Sequence, residues 1–267
     1  MPRPTTLAGA LALGILLIGC YEKKEGCLDA LASNFDVTAD LDCCCSYPQL
    51  ILDVKHVYDS VNLNLGDVYT NQHLQVFRLL SFAFYVSDVQ LRKADKWTSV
   101  SNQVEFSDNS GQLHSESDDV TIISRQTFRF NIGTFIESGS YEQIRFTVGL
   151  VPPESNVNPI TIDDEHALSS ANNELWNNES GHCAYRFELV DTTTSDTLLW
   201  KVPAQDGALE FIELDIELEQ IKGIDLVVPL QIDYRPWLHT IDIQSDSPDT
   251  IEAKIQSGID GSFSLID

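Results

Sequence analysis

The chain has 267 residues, with 16 Lys+Arg against 41 Asp+Glu, a formal net charge of −25 and a pI near 4.3. That balance excludes nucleic acid as a partner, because binding phosphates needs a basic patch, and no basic run is longer than a pair such as Lys23–Lys24. A hydrophobic content of 43% is ordinary for a folded protein, and the length suits one large domain with a small added module.

Residues 1–19 read as a lipoprotein signal peptide. Arg3 supplies a positive start, and Leu7–Ile18 form an apolar core too short to span a bilayer. Leu17-Ile18-Gly19-Cys20 resembles a bacterial lipobox, so Cys20 is the expected lipidation site and the membrane a partner through that anchor. Two or three acyl chains hold a protein on a membrane where one alone is marginal. Tyr21, rather than Asp, after the Cys favours the outer membrane of a bacterial envelope. Residues 20–26 would form the lipidated tether.

A Cys-rich module follows over 27–48. Export permits disulfides, and Cys27, Cys43, Cys44, Cys45 and the distant Cys183 are the candidates. Adjacent cysteines seldom bond to each other, so Cys27 is expected to pair with one of Cys43–Cys45, which would contribute about 3 kcal/mol by loop closure. With Cys20 lipidated, five cysteines remain, leaving at least one outside any intramolecular pair. The segment resembles a short module of bacterial surface proteins, matched here by Gly26, Cys27, Asp29, Ala32, Asn34, Phe35, Asp36, Ala39 and Asp42. Asp29, Asn34, Asp36, Asp40 and Asp42 are hard oxygen ligands that suit calcium. The preferred reading is a disulfide-stapled spacer with solvated carboxylates.

From residue 49 the hydrophobic period is two more often than 3.6. Expected strands are Leu50–Val57, Leu74–Leu80, Ala83–Leu91, Val120–Ile123, Thr127–Ile132, Tyr141–Leu150, Cys183–Asp191, Thr197–Val202, Leu209–Leu218 and Ile224–Asp233, with turn-formers such as Asp108–Gly111 and Asp206-Gly207 between them. Short helices are expected at Asp164–Asn177 and Pro248–Ser257. The fold class is therefore all-β, an antiparallel β-sandwich of about ten strands forming one domain over 49–267.

No G-x-S-x-G, H-E-x-x-H or phosphate-cradling glycine loop is present, and nothing selects two catalytic carboxylates among 41 acids, so no catalytic residue is assigned. The six histidines, His56, His73, His114, His166, His182 and His239, show no local chelating spacing. Any metal site must be assembled across strands. His166, Trp176, His182 and Cys183 cluster in the least strand-like stretch, where loops carry sites. Trp97, Trp200 and Trp237 are read as packing residues rather than sugar platforms.

Several segments resemble the MbnP-like copper-binding family, the methanobactin-associated periplasmic proteins and their relatives. They are Val54-Lys55-His56-Val57, Leu63–Asn71, Phe84-Tyr85-Val86-Ser87-Asp88-Val89-Gln90-Leu91, Ile144-Arg145-Phe146-Thr147-Val148-Gly149, His166-Ala167-Leu168, Leu175–His182, Val228–Asp233 and Phe263. The resemblance implies a secreted β-sandwich that holds copper through histidines, beside a Trp oxidised in some members by a dihaem partner enzyme. His56 matches the early family His, and Trp176 the first Trp of a Trp-x-Trp motif. The second Trp position is Asn178, the family Tyr is replaced by His182, and no His-x-Gly stands near Leu198–Gly207. The expected metal residues are thus His56, His182, His166 and Trp176, converging on one pocket. The rival expectation is a metal-free adhesion or interaction lipoprotein that keeps the scaffold.

Overall fold

The computed structural model describes residues 21–135, 137–171, 175–178, 181–204 and 209–266. The expected signal peptide, Cys20 and the expected turn at Asp206-Gly207 lie outside the described residues. Among the described residues no helix is long and apolar enough to cross a membrane.

In chain order the strands are β1 (Glu25–Gly26), β2 (Leu41–Asp42), β3 (Gln49–Tyr58), β4 (Val61–Asn62), β5 (Val68–Thr70), β6 (Val76–Lys93), β7 (Lys96–Ser99), β8 (Gln103–Ser107) and β9 (Leu113–Ser117). They continue with β10 (Thr121–Ser124), β11 (Arg129–Thr134), β12 (Gly139–Val148), β13 (Trp176–Asn177), β14 (Gly181–Asp191), β15 (Thr197–Pro203), β16 (Glu210–Gln220), β17 (Leu226–Asp233) and β18 (Phe263–Leu265). Two helices, α1 (Arg235–Leu238) and α2 (Pro248–Ile259), lie between the last two strands.

β6 organises the molecule. It pairs with β14 on one side and β12 on the other, and β5, β7 and β10 also bond to it, while β16 closes the far edge beyond β12. The second sheet runs β11-β3-β17-β18 with β4 beside β3. Pairing is antiparallel except for β3–β17, where Leu50 to Val57 run parallel to Leu226 to Asp233, and the short β1–β2 pair. The all-β sandwich class stands, and the parallel pair is an addition to it.

Two expected strands, Leu74–Leu80 and Ala83–Leu91, are one continuous strand of 18 residues. Leu74 itself lies outside it, exposed and with φ +61°. The join follows a register shift between Leu79 and Ser81, opposite Glu188/Leu189, which leaves Leu80 as the extra residue and takes up the irregular alternation. Residues Phe82 to Ser87 are buried without a break, because both faces of β6 are covered.

No helix forms over the described residues of the expected span Asp164–Asn177. Residues 164–171 form turns in which the Asp163 carboxylate accepts from the Glu165 N–H, and Trp176–Asn177 is a strand. The Asp163 and Ser169 side chains take up backbone N–H groups there, which disfavours a helix. The hairpin β8–β9 around Asp108–Gly111 and helix α1 went unread in the hydrophobic pattern. Helix α2 is capped by Ser247, whose Oγ accepts from the Thr250 N–H, and it buries Ile251, Ile255 and Ile259.

Trp237 of α1 is fully buried among Phe84, Phe187, Tyr234 and Phe263, and its indole N–H donates to Ser262 Oγ at 2.7 Å. Trp97 lies under the Arg145 guanidinium at 4.2 Å.

The N-terminal module rests on the domain. Cys27 bonds to Cys45, and Cys43 to its neighbour Cys44. The first pair follows the expectation. The second overturns the expectation that adjacent cysteines stay apart, since Cys44 adopts φ +58°, a left-handed turn that brings the two side chains together. Cys183 is buried on β14 and belongs to neither bridge. Gly223, at φ +74°, sits where an added Cβ would meet the Ala32 carbonyl oxygen at 3.1 Å, so the module and the β16–β17 turn touch backbone to backbone.

Gly258 marks a tighter approach. Inside α2, a Cβ there would collide with the Pro236 carbonyl and come within 2.8 Å of Trp237 Cα. A mid-helix Gly→Ala exchange ordinarily gains up to about 1 kcal/mol. Gly258→Ala is expected instead to lose about 1–3 kcal/mol through overpacking, read as a lowered Cm at unchanged m-value in urea unfolding.

Candidate metal centre

Alternation along β6 decides which histidines can meet. Phe82 and Phe84 point between the sheets, where they contact Tyr234 and Trp237. Tyr85 therefore points the opposite way. His56, on β3, packs its ring against Phe82 at 5.4 Å and Tyr234 at 5.7 Å between the sheets. His182, on β14, packs against Tyr85 at 5.6 Å on the other face of β6. The structure does not bring these two imidazoles together.

His182 and Trp176 do meet. β13 pairs with β14 in the register Trp176↔His182, and their ring centroids are 4.7 Å apart. His182 is 1% exposed, and burial pushes its pKa down to about 4, so the ring is neutral. Its Nδ1 is 2.9 Å from Tyr85 Oη, and Tyr85 Oη lies 3.3 Å from the Ala167 carbonyl, which only accepts. The arrangement that satisfies all three groups runs from Nδ1–H to Tyr85 Oη and from Tyr85 O–H to Ala167. It leaves Nε2 with an unshared electron pair. That Nε2 is buried and has no hydrogen-bond partner.

His166 lies in the turn that supplies Ala167, but both its nitrogens are engaged. Nε2 is 3.0 Å from Asp118 Oδ1, and Nδ1 accepts from the Leu168 N–H at 3.0 Å. The Trp176 indole N–H reaches Asn178 Oδ1 at 3.2 Å, which orients the ring. Tyr85, which sequence reasoning quoted within a motif but gave no role, is the residue that fixes the His182 tautomer.

Elsewhere, only Cys27, Asp42 and Cys45 place three metal-ligand atoms within 4.8 Å of one another among the described residues. Cys27 and Cys45 are there joined as a disulfide. The module's acids serve as hydrogen-bond acceptors: Asp29 for Leu31 N–H and Tyr47 O–H, Asp36 for Thr38 N–H, Asp40 for Lys24 N–H, and Asp42 for Leu28 N–H. Asn34 accepts from Ser46 N–H and donates to the Cys44 carbonyl. These contacts fold the spacer, and no calcium cradle is built from them.

A model of the family described as MbnP matches residues 47–255, most of the chain. The chain belongs to the MbnP family. A solved structure of MbnP from Methylosinus trichosporium is similar at 12% identity and a TM-score of 0.36, covering 74% of this chain and 80% of that one. No curated protein matches. The family match spans β3 through the first turns of α2 and leaves the Cys-rich module almost wholly outside it.

The carboxylates of Asp119 and Glu154 are buried. Asp119 accepts from the Asp88 and Val89 N–H groups at 3.1 and 2.9 Å, and burial lifts its pKa to about 7. Burial likewise lifts Glu154 to about 7, and its Oε2 has no partner. A raised carboxyl pKa favours folding below the unfolded value near 4.5, and that advantage is lost as pH rises through 7. The depressed histidines act oppositely, losing their contribution as pH falls from 6.5 towards 4. Glu154→Gln is therefore expected to raise stability by roughly 2–3 kcal/mol at pH 8 and to leave it unchanged at pH 4, checked by denaturant melts at both values.

Proposed function

We propose that this protein is an envelope lipoprotein of the MbnP family that binds copper at His182, beside Trp176, and has no catalytic role of its own. The observation that carries the reading is the buried, neutral imidazole whose Nδ1 is oriented by Tyr85 and whose Nε2 pair is left unused. A ligand imidazole whose other nitrogen donates to an orienting group is the usual arrangement at metals. Imidazole suits copper, and the acidic surface raises the local cation concentration within about a Debye length of 8–10 Å. The residues fit copper as a one-imidazole site rather than the three-imidazole pocket expected from sequence. His182 would hold the metal, Tyr85 would set its tautomer, and Trp176 would wall the site. When bound, copper would supply redox chemistry next to Trp176, the indole that a dihaem partner enzyme would oxidise. Cys20 would carry the lipid and hold the protein at the outer membrane.

A metal-free interaction lipoprotein is the second reading, and the engaged nitrogens of His166 favour it. Copper analysis of protein isolated from the native envelope separates the two. One equivalent is expected in the wild type, little in His182→Ala, and an unchanged amount in His56→Ala. Copper that survives His182→Ala removes the assignment. Peptide mass spectrometry is expected to show the Trp-to-kynurenine mass change at Trp176 and at no other Trp.

A further inference from the structure

His56 borders an open cavity of about 460 Å³, lined also by Asp53, Lys55, Asn62, Arg125 and Phe128. This volume lies within the range of small-molecule pockets. In a chain with 41 acids, neither Lys55 nor Arg125 takes part in an ion pair among the described residues. Arg125 is fixed at one corner: its Nε donates to the Leu63 carbonyl at 2.8 Å, and its guanidinium stacks on the Phe128 ring at 4.6 Å. Among the described residues the terminal nitrogens of its fork make no hydrogen bond or ion pair. Phe128 is 47% exposed, so the stacked pair presents an apolar surface and a cationic edge together.

His56 Nδ1 is 2.9 Å from Tyr234 Oη. Its Nε2 is buried and has no hydrogen-bond partner among the described residues. The imidazole is 3% exposed, and burial with the neighbouring guanidinium holds its pKa down to about 4, so the ring is neutral. A cation beside it would be repelled by Arg125. An anion would meet the Arg125 guanidinium, the Lys55 ammonium and the Asn62 amide, opposed by the single carboxylate of Asp53.

We propose that the cavity at His56 binds a small organic carboxylate, its carboxyl group held by Arg125, Lys55 and the Asn62 amide and its apolar body lying on Phe128. A planar guanidinium fork matches a carboxylate better than a point charge does, and the stacked phenyl favours a flat apolar body over a bare inorganic anion. This site is on the opposite face of β6 from His182 and does not depend on the copper reading.

The test uses the metal-free full chain with benzoate as probe, titrated by calorimetry, with inorganic phosphate in parallel. Saturable one-to-one binding of benzoate is expected, weakened at least tenfold in Arg125→Gln and severalfold in Arg125→Lys, which keeps the charge but loses the fork. Asp53→Asn removes the opposing carboxylate and is expected to tighten binding, an outcome that damage to the fold cannot imitate. His182→Ala is expected to leave benzoate binding unchanged. No saturable binding, equal binding in Arg125→Gln, or binding of phosphate in place of benzoate would each overturn the proposal.

Discussion

The two-sided burial of β6 is the constraint on which the rest of the molecule depends. A strand covered on both faces must alternate its side chains between two separate interiors. Phe82 and Phe84 fill one, with Tyr234, Trp237 and Phe263, and Tyr85 enters the other, with His182 and Ala167. Every histidine that packs against β6 is assigned to one compartment by the parity of its neighbour. His56 and His182 lie in different compartments because Phe82 and Tyr85 differ in parity.

Electrostatics then gives each compartment a different chemistry. Burial keeps both imidazoles neutral, since neither environment can solvate an imidazolium. Their tyrosine partners stand in different surroundings. Tyr85 passes its proton on to a carbonyl and so accepts from His182, which bares Nε2. Tyr234 lies 2.9 Å from His56 Nδ1 and has no second hydrogen bond from its hydroxyl among the described residues. A guanidinium stands beside His56, and burial alone shifts His182. Local surroundings, rather than the net charge of the chain, thus set the character of each ring.

Much of the scaffold was legible in the sequence because alternation is a local signal. The strands ending at Tyr58, Ser124, Asp191, Pro203 and Asp233 lie within a few residues of the expected spans. The capped helix α2 was readable from Pro248 onwards. The joined strand β6 was not, because a strand buried on both faces loses alternation where it is most central. The Asp164–Asn177 stretch was misread because its apolar residues Ala167, Leu168 and Ala171 suit a helical period, while Asp163 and its polar neighbours spend their side chains on turns. At the site, Trp176 and His182 were found because they are close in sequence and opposite in register. The roles of Tyr85 and Arg125 depend on pairings across 97 and 62 residues, which no spacing rule encodes.

Acidity on this scale shapes where function can sit. The module's carboxylates are largely consumed as acceptors for backbone N–H groups, which tie Lys24 to Asp40 and Leu28 to Asp42 around the Cys27–Cys45 bridge. Along the open edge strand β16, Glu213, Asp215, Glu217 and Glu219 alternate with inward Ile212 and Ile216, a pattern that repels another edge rather than recruiting one. With acids spread over turns and edges, carboxylates carry little positional information. The informative places are those where the pattern is broken: an imidazole pair left unshared beside an indole, and two cations left without counterions around a third ring. In a protein of this charge, a missing partner for a base marks a site more sharply than any cluster of acids.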